Sequence, residues 1–183
     1  MTVPKNRVCP LERAGSLDSR FRRWFQNPRR LLGPYLKEGM TVLDFGCGPG
    51  FFTLDIARLV GPAGRVIAVD LQEGMLQKLR AKIQGTELEA RITLHQCEQS
   101  RIGVAQKVAF ALAFYALHEL PDQRAFFKEV RRMLAPRGLL LVVEPPFRVS
   151  RVEFEETLRT AHSAGFTIAD RPLVLFSKAA LLK

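Results

Sequence analysis

Residues 43–50 read Leu43-Asp44-Phe45-Gly46-Cys47-Gly48-Pro49-Gly50, and this stretch decides the fold. It closes a short β-rich run beginning at Thr41 and opens an amphipathic stretch, Phe51 to Val60, that is stopped by Gly61-Pro62. Glycines between a strand and a helix let the backbone pass close to a ligand, and the helix start offers free N–H groups. The spacing is G-x-G-x-G. A dinucleotide site has G-x-G-x-x-G, and the position of its last glycine, against the pyrophosphate, is here Phe51. Asp44, two residues ahead of the first glycine, would repel a pyrophosphate and attract a cation.

Outward from the loop, β-rich runs alternate with helix-length stretches, the pattern of a parallel sheet covered by helices on both faces. Arg65–Asp70 reads as the second strand and Arg91–His95 as the third, with a helix over Met75–Gln84 between them. Val108–Tyr115 is a fourth strand, apolar on both faces and therefore central. A helix starting at Pro121 and running through Ala125–Leu134 leads to the turn Pro136-Arg137-Gly138 and a fifth strand, Leu139–Val143. Glu144-Pro145-Pro146-Phe147 reads as a strand break, because two prolines forbid further ladder or helix. After a helix over about Val152–Ala164, the runs Phe166–Asp170 and Leu173–Leu182 are separated by Arg171-Pro172 alone, too short for a crossover, so they form an antiparallel hairpin.

Two further acids fall on the carboxyl edge of this sheet. Asp70 ends the second strand twenty residues past Gly50, where an acid hydrogen-bonds ribose hydroxyls in such folds. Glu98 lies just past the third strand, as a pocket acid or a plain surface one. An acid at the loop, one for a ribose and one beyond suit a positively charged nucleoside.

Composition narrows the class. In 183 residues, 47% apolar content excludes disorder, and three cysteines (Cys9, Cys47, Cys97) are too few for a disulfide scaffold. The longest uncharged apolar run, Val108 to Leu117, falls well short of the roughly 20 residues that span a bilayer. The odd cysteine count and the lack of an export signal point to the cytoplasm. The net charge is +10, and residues 1–37 hold nine basic and two acidic side chains, +7 of that total. Within this segment Leu17, Phe21, Trp24 and Phe25 share one helical face, and Asn27-Pro28 caps a second short helix. The basic and aromatic residues Arg20 to Phe25 suit a lid over the pocket, an RNA-binding helix or an amphipathic helix on an anionic membrane. His95 and His162 have no partner at metal-ligand spacing, so no metal site is expected.

Across residues 39–183 the chain resembles the class I S-adenosylmethionine-dependent methyltransferases. The resemblance rests on LDFGCGPGFFT, VIAVDLQ, FALAFYALHEL, LAPRG and the closing hairpin. It implies an α/β, doubly wound, Rossmann-like sheet of seven strands in the order 3-2-1-4-5-7-6 with the last strand antiparallel. The domain spans residues 37–183, behind a basic helical arm at 1–36. It implies binding of S-adenosyl-L-methionine, with S-adenosyl-L-homocysteine as product. The cofactor contacts it implies are Asp44, Phe45, Gly46, Cys47, Gly48 and Gly50 at the loop, and Asp70, Leu71, Gln72 and Met75 after the second strand. Cys97, Glu98 and Gln99 after the third strand and Phe114 on the fourth complete the set. The chain departs from the family at Gln96-Cys97-Glu98, where many members have Gly-Asp-Ala, and at Ala109, where many have Asp. Tyr115, His118 and Glu119, at the exit of the fourth strand, are candidate catalytic groups, with core packing and helix capping as their alternatives. A histidine there offers a base that changes charge near neutral pH. The acceptor expected is a small molecule, because the 147 residues from 37 to 183 barely exceed what the sheet needs and leave no room for an inserted substrate domain. An RNA acceptor held by the arm, and a cofactor-binding protein without transferase activity, are the competing readings.

Overall fold

The computed structural model describes residues 26–183; the helix read over Leu17 to Phe25 lies outside them. A short helix α1 (Pro28–Leu32) is capped by Asn27, whose side chain accepts from the backbone N–H groups of Arg29 and Arg30. Then follow β1 (Thr41–Phe45), α2 (Thr53–Leu59), β2 (Arg65–Asp70), α3 (Glu73–Ile83), β3 (Ile92–Gln96) and β4 (Val108–Phe114). The chain continues through α4 (Gln123–Met133), β5 (Leu134–Glu144), α5 (Arg151–Ser163), β6 (Ile168–Asp170) and β7 (Lys178–Leu182), with single 3-10 turns at Glu89–Arg91 and Leu117–Glu119.

The seven strands form one sheet in the order β3-β2-β1-β4-β5-β7-β6. All pairings from β3 to β5 are parallel, while β7 runs antiparallel to both β5 and β6. This is the expected sheet. Alternation along the strands feeds two cores. Leu43 and Phe45 of β1 and Ala111 and Ala113 of β4 pack with Phe126, Phe127 and Val130 of α4 and Phe154 and Leu158 of α5. Val42, Phe110, Leu112 and Phe114 face the other way, onto Leu32, Ile56, Leu76 and Leu79. Leu32 is fully buried and Leu36 nearly so, which makes α1 part of the second core layer.

Three local expectations are corrected. The seventh strand begins at Lys178 rather than Leu173, because residues 171–177 form a loop in which Ser177 N–H closes a turn onto the Val174 carbonyl. The turn at Pro136-Arg137-Gly138 does not precede the fifth strand but bulges out of it. Pairing jumps from Val108↔Leu134 to Phe110↔Leu139, and Arg137 takes a φ of 64°. Asp122 rather than Pro121 caps α4, accepting from the Ala125 N–H.

Strand order reverses between β1 and β4, and ligands in open α/β sheets bind outside the carboxyl ends of the strands at such a point.

Candidate active site

The glycine loop leaves β1 at this switch point. Gly46, Gly48 and Gly50 all take positive φ (71°, 54° and 93°), a region other residues enter only with strain. The Gly46 and Cys47 N–H groups bond the Val69 carbonyl, which fastens the loop to β2. A side chain at Gly46 would meet Ala116 at 2.7 Å and one at Gly50 would meet Leu79 at 2.4 Å, whereas one at Gly48 would stand in open space. The loop is thus packed at both ends and open in its middle.

Asp70 faces that opening. Its carboxylate accepts from Gly48 N–H at 2.9 Å and from Gln72 N–H at 2.9 Å, so it ties the loop to the start of α3. Burial pushes its carboxyl up from the usual range, against the opposing effect of these N–H groups. Asp44 lies beneath the loop, 2% exposed, and accepts from the Thr53 hydroxyl at 2.6 Å. Thr53 is a site residue the sequence reading missed; its signal is the FFT that closes the glycine motif. Burial also raises the Cys47 thiol far above its usual value, with the charges of Asp44 and Asp70 adding to the effect. It pushes Cys97 up to about 11. Both thiols are therefore protonated, poorly nucleophilic neighbours of the loop.

The other expected cofactor residues divide by exposure. Leu71 and Gln72 are half-buried beside Asp70, and the Leu71 carbonyl accepts from the Gln96 side chain. Cys97 N–H bonds the Asp70 carbonyl, and Glu98 and Gln99 are exposed just beyond it. Glu98 and Gln99 join Phe45, Ile102, Leu120 and Phe126 around a shallow, open depression. Met75 is buried at 2% exposure within α3, and Phe114 packs between Phe52 and Tyr115 at ring distances of 4.4 Å.

At the exit of β4, Tyr115 takes a φ of 61°, and its N–H bonds the Val143 carbonyl. Its hydroxyl meets the Gln26 side-chain amide at 2.6 Å and the Ser177 hydroxyl at 2.6 Å, tying the N-terminal segment to the β6–β7 loop. His118 Nδ1 lies 2.6 Å from Glu144 Oε2, while Glu144 Oε1 accepts from the Leu117 N–H at 2.9 Å. His118 Nε2 is 3.9 Å from Glu119 Oε1. The His118 side chain remains 16% exposed, whereas Glu144 is 1% exposed. Glu144 is the second missed residue. The two prolines after it make it read as a strand terminus, and only the pairing of β4 with β5 brings it under His118.

A glycine loop open at Gly48 and a buried carboxylate at the end of β2 that faces it fit S-adenosylmethionine. The strand order is that of the class I S-adenosylmethionine-dependent methyltransferase fold. The chain belongs to the methyltransferase-domain family, whose pattern it matches over residues 36–166. It is 31% identical over 123 residues to the demethylmenaquinone methyltransferase of Lactococcus lactis, an alignment that covers 64% of this chain and 48% of that one. It is 29% identical over 110 residues to a ubiquinone/menaquinone biosynthesis C-methyltransferase of Klebsiella pneumoniae, covering 60% and 44%. The chain spans about half the length of these curated relatives. The crystal structure of an S-adenosylmethionine-dependent methyltransferase from Aquifex aeolicus superposes with a TM-score of 0.86 at 26% identity, over 96% of this chain and 98% of that one.

Proposed function

We propose that the protein transfers a methyl group from S-adenosylmethionine to a small-molecule acceptor at the carboxyl edge of β4. The observation that carries the reading is the Asp70 carboxylate held against Gly48 N–H, at the loop's open middle. When bound, the cofactor supplies an activated methyl electrophile on sulfur. What remains for the protein is to align the acceptor and keep water out.

Asp70 has two oxygens with acceptor capacity beyond the two N–H groups they hold, which suits a ribose diol. Asp44 places a buried negative charge beneath the loop, favourable to a cationic ligand. Glu98 and Gln99, exposed just beyond β3, are placed to meet the base.

An acceptor whose nucleophile carries a proton needs a base, and His118 is placed for it. The Glu144 carboxylate can only accept, so the proton shared at 2.6 Å sits on Nδ1 and leaves the Nε2 lone pair to take a proton. Glu144 also holds the Leu117 N–H, so one buried carboxylate sets both the ring and the backbone that carries it. Glu119 lies near enough to Nε2 to stabilise the imidazolium once formed. Tyr115 orders the rim through Gln26 and Ser177. The relatives named as menaquinone and ubiquinone methyltransferases support a small acceptor over RNA.

The test is calorimetric titration with S-adenosylmethionine and S-adenosylhomocysteine, repeated on Asp70→Ala, followed by tritiated-methyl transfer to demethylmenaquinone, to a small-molecule cell extract and to RNA. Micromolar binding that Asp70→Ala weakens by ~1–3 kcal/mol, as for a lost charged hydrogen bond, supports the cofactor assignment. Label in a small product completes the reading. Absence of binding by a folded protein overturns it, and label in RNA alone overturns the acceptor.

A further inference from the structure

Two neighbouring loops and the first turn of α5 leave large apolar side chains in water at one edge of the molecule. Phe147 and Leu173 are each 97% exposed, Phe176 is 71% exposed and Val152 is 67% exposed. Single exposed apolar residues are ordinary, but four together are not. The register brings them together. Glu144 pairs with Lys178, so Pro145 leaves the sheet beside the point where Ser177 enters it, and residues 145–152 and 171–178 flank the same carboxyl edge.

The projections are built, not loose. Val149 (5% exposed) anchors the first loop between Phe147 and Val152, and Val174 (6% exposed) anchors the second between Leu173 and Phe176. Ser177 is pinned twice, by its N–H to the Val174 carbonyl and by its hydroxyl to Tyr115. Phe176 is held at a φ of 57°, a strained region for a residue with a side chain, and this aims it outward. Pro145, Pro146 and Pro172 stiffen both loops.

The charges around these tips are of one sign. Residues 145–152 and 171–178 contain Arg148, Arg151, Arg171 and Lys178 and no acid. Arg171 is engaged by Glu155 through both terminal nitrogens, while Arg148 and Arg151 are exposed. The neighbouring acids are engaged, Glu155 by Arg171, Glu156 by Arg159 and Glu153 in the capping box of α5, with Asp170 at the margin.

We propose that these two loops form a docking rim that seats the carboxyl edge of the sheet on an anionic lipid surface. Phenylalanine and leucine tips enter the headgroup–acyl boundary while arginines meet lipid phosphates, the division of labour of interfacial proteins. Aliphatic Leu173 and Val152 cannot stack on bases, which favours lipid over RNA as the partner. The chain's net charge of +10 adds attraction at longer range. The rim adjoins the exit of β4 through the Tyr115–Ser177 hydrogen bond. It does not depend on the transfer reaction.

The experiment is co-sedimentation of the full chain with sucrose-loaded vesicles of phosphatidylcholine alone or mixed with phosphatidylglycerol. The wild type, the triple variant Phe147→Ser/Leu173→Ser/Phe176→Ser and the double variant Arg148→Glu/Arg151→Glu are compared, with Tm and S-adenosylhomocysteine affinity as controls for the fold. The rim predicts binding to the anionic vesicles, weakened about tenfold or more by either variant with both controls unmoved. Equal binding by wild type and triple variant assigns docking to another part of the chain and overturns the rim. So does an absence of sedimentation with either vesicle, or a triple variant whose loss is matched in binding to RNA homopolymer.

Discussion

At the scale of single residues, two carboxylates divide the proposed work. Asp70 is kept above the ordinary carboxylate range by burial, so protonation favours the folded chain. Its share of stability is present below the usual aspartate pKa and is lost as pH rises through the raised value. Cofactor affinity runs the other way, because the ribose contact needs the charged form. Calorimetry between about pH 7 and pH 4.5 should show S-adenosylhomocysteine binding to wild type weakening on acidification, while Asp70→Asn binds weakly with a flat profile. A wild-type profile as flat as the variant's would remove Asp70 from the contact. Glu144→Gln keeps the shape but presents one acceptor oxygen and one amide where the carboxylate offered two acceptors to Leu117 N–H and His118 Nδ1. Loss of the preferred tautomer should lower kcat by about 10²-fold or more and shift the pH–rate profile, with S-adenosylhomocysteine affinity unchanged. A uniform loss of stability with kcat per folded molecule intact would make Glu144 structural.

At the scale of elements, the glycine loop separates architecture from binding within five residues. Gly46→Ala adds a left-handed penalty of roughly 1–2 kcal/mol to a collision with Ala116, and the fold bears both. Gly48→Ala carries the same kind of backbone penalty but points its methyl into open space beside Asp70, so it should impair cofactor binding more than folding. Comparing Tm with S-adenosylhomocysteine affinity for the two variants decides the point: Gly46→Ala should move Tm most and Gly48→Ala affinity most. The loop was legible from sequence because its function is written in backbone freedom, which only glycine supplies. The sheet was legible because period-two and helical patterns alternate along the chain, and Asp70 because it sits a fixed distance past the loop. Glu144 was not, because its partner is twenty-six residues away across a strand pairing that no local pattern encodes. The start of β7 was misplaced for a related reason. Leu173, Leu175 and Phe176 carry strand-like apolar character, and only the structure shows them in a loop facing water.

At the scale of the whole molecule, the proposed cofactor residues after β1, β2 and β3 lie on one side of the switch point, and the proposed base with its carboxylate lies on the other. The β1–β4 pairing joins the halves, and both core layers run across it, so the described residues should unfold in one transition. A ligand gripped by the loop and Asp70 then stabilises the whole chain rather than one flank. At about a hundredfold excess over Kd, linkage supplies roughly 2.7 kcal/mol. For a chain of this size that corresponds to a Tm rise of about 5–10 °C. Calorimetric scans with and without S-adenosylhomocysteine should show a single peak displaced upward by that amount, and a smaller displacement for Asp70→Ala at the same ligand concentration. Two separately moving peaks would show that the halves fold independently. A single peak that ligand leaves in place would mean that the loop, however open at Gly48, is architecture alone.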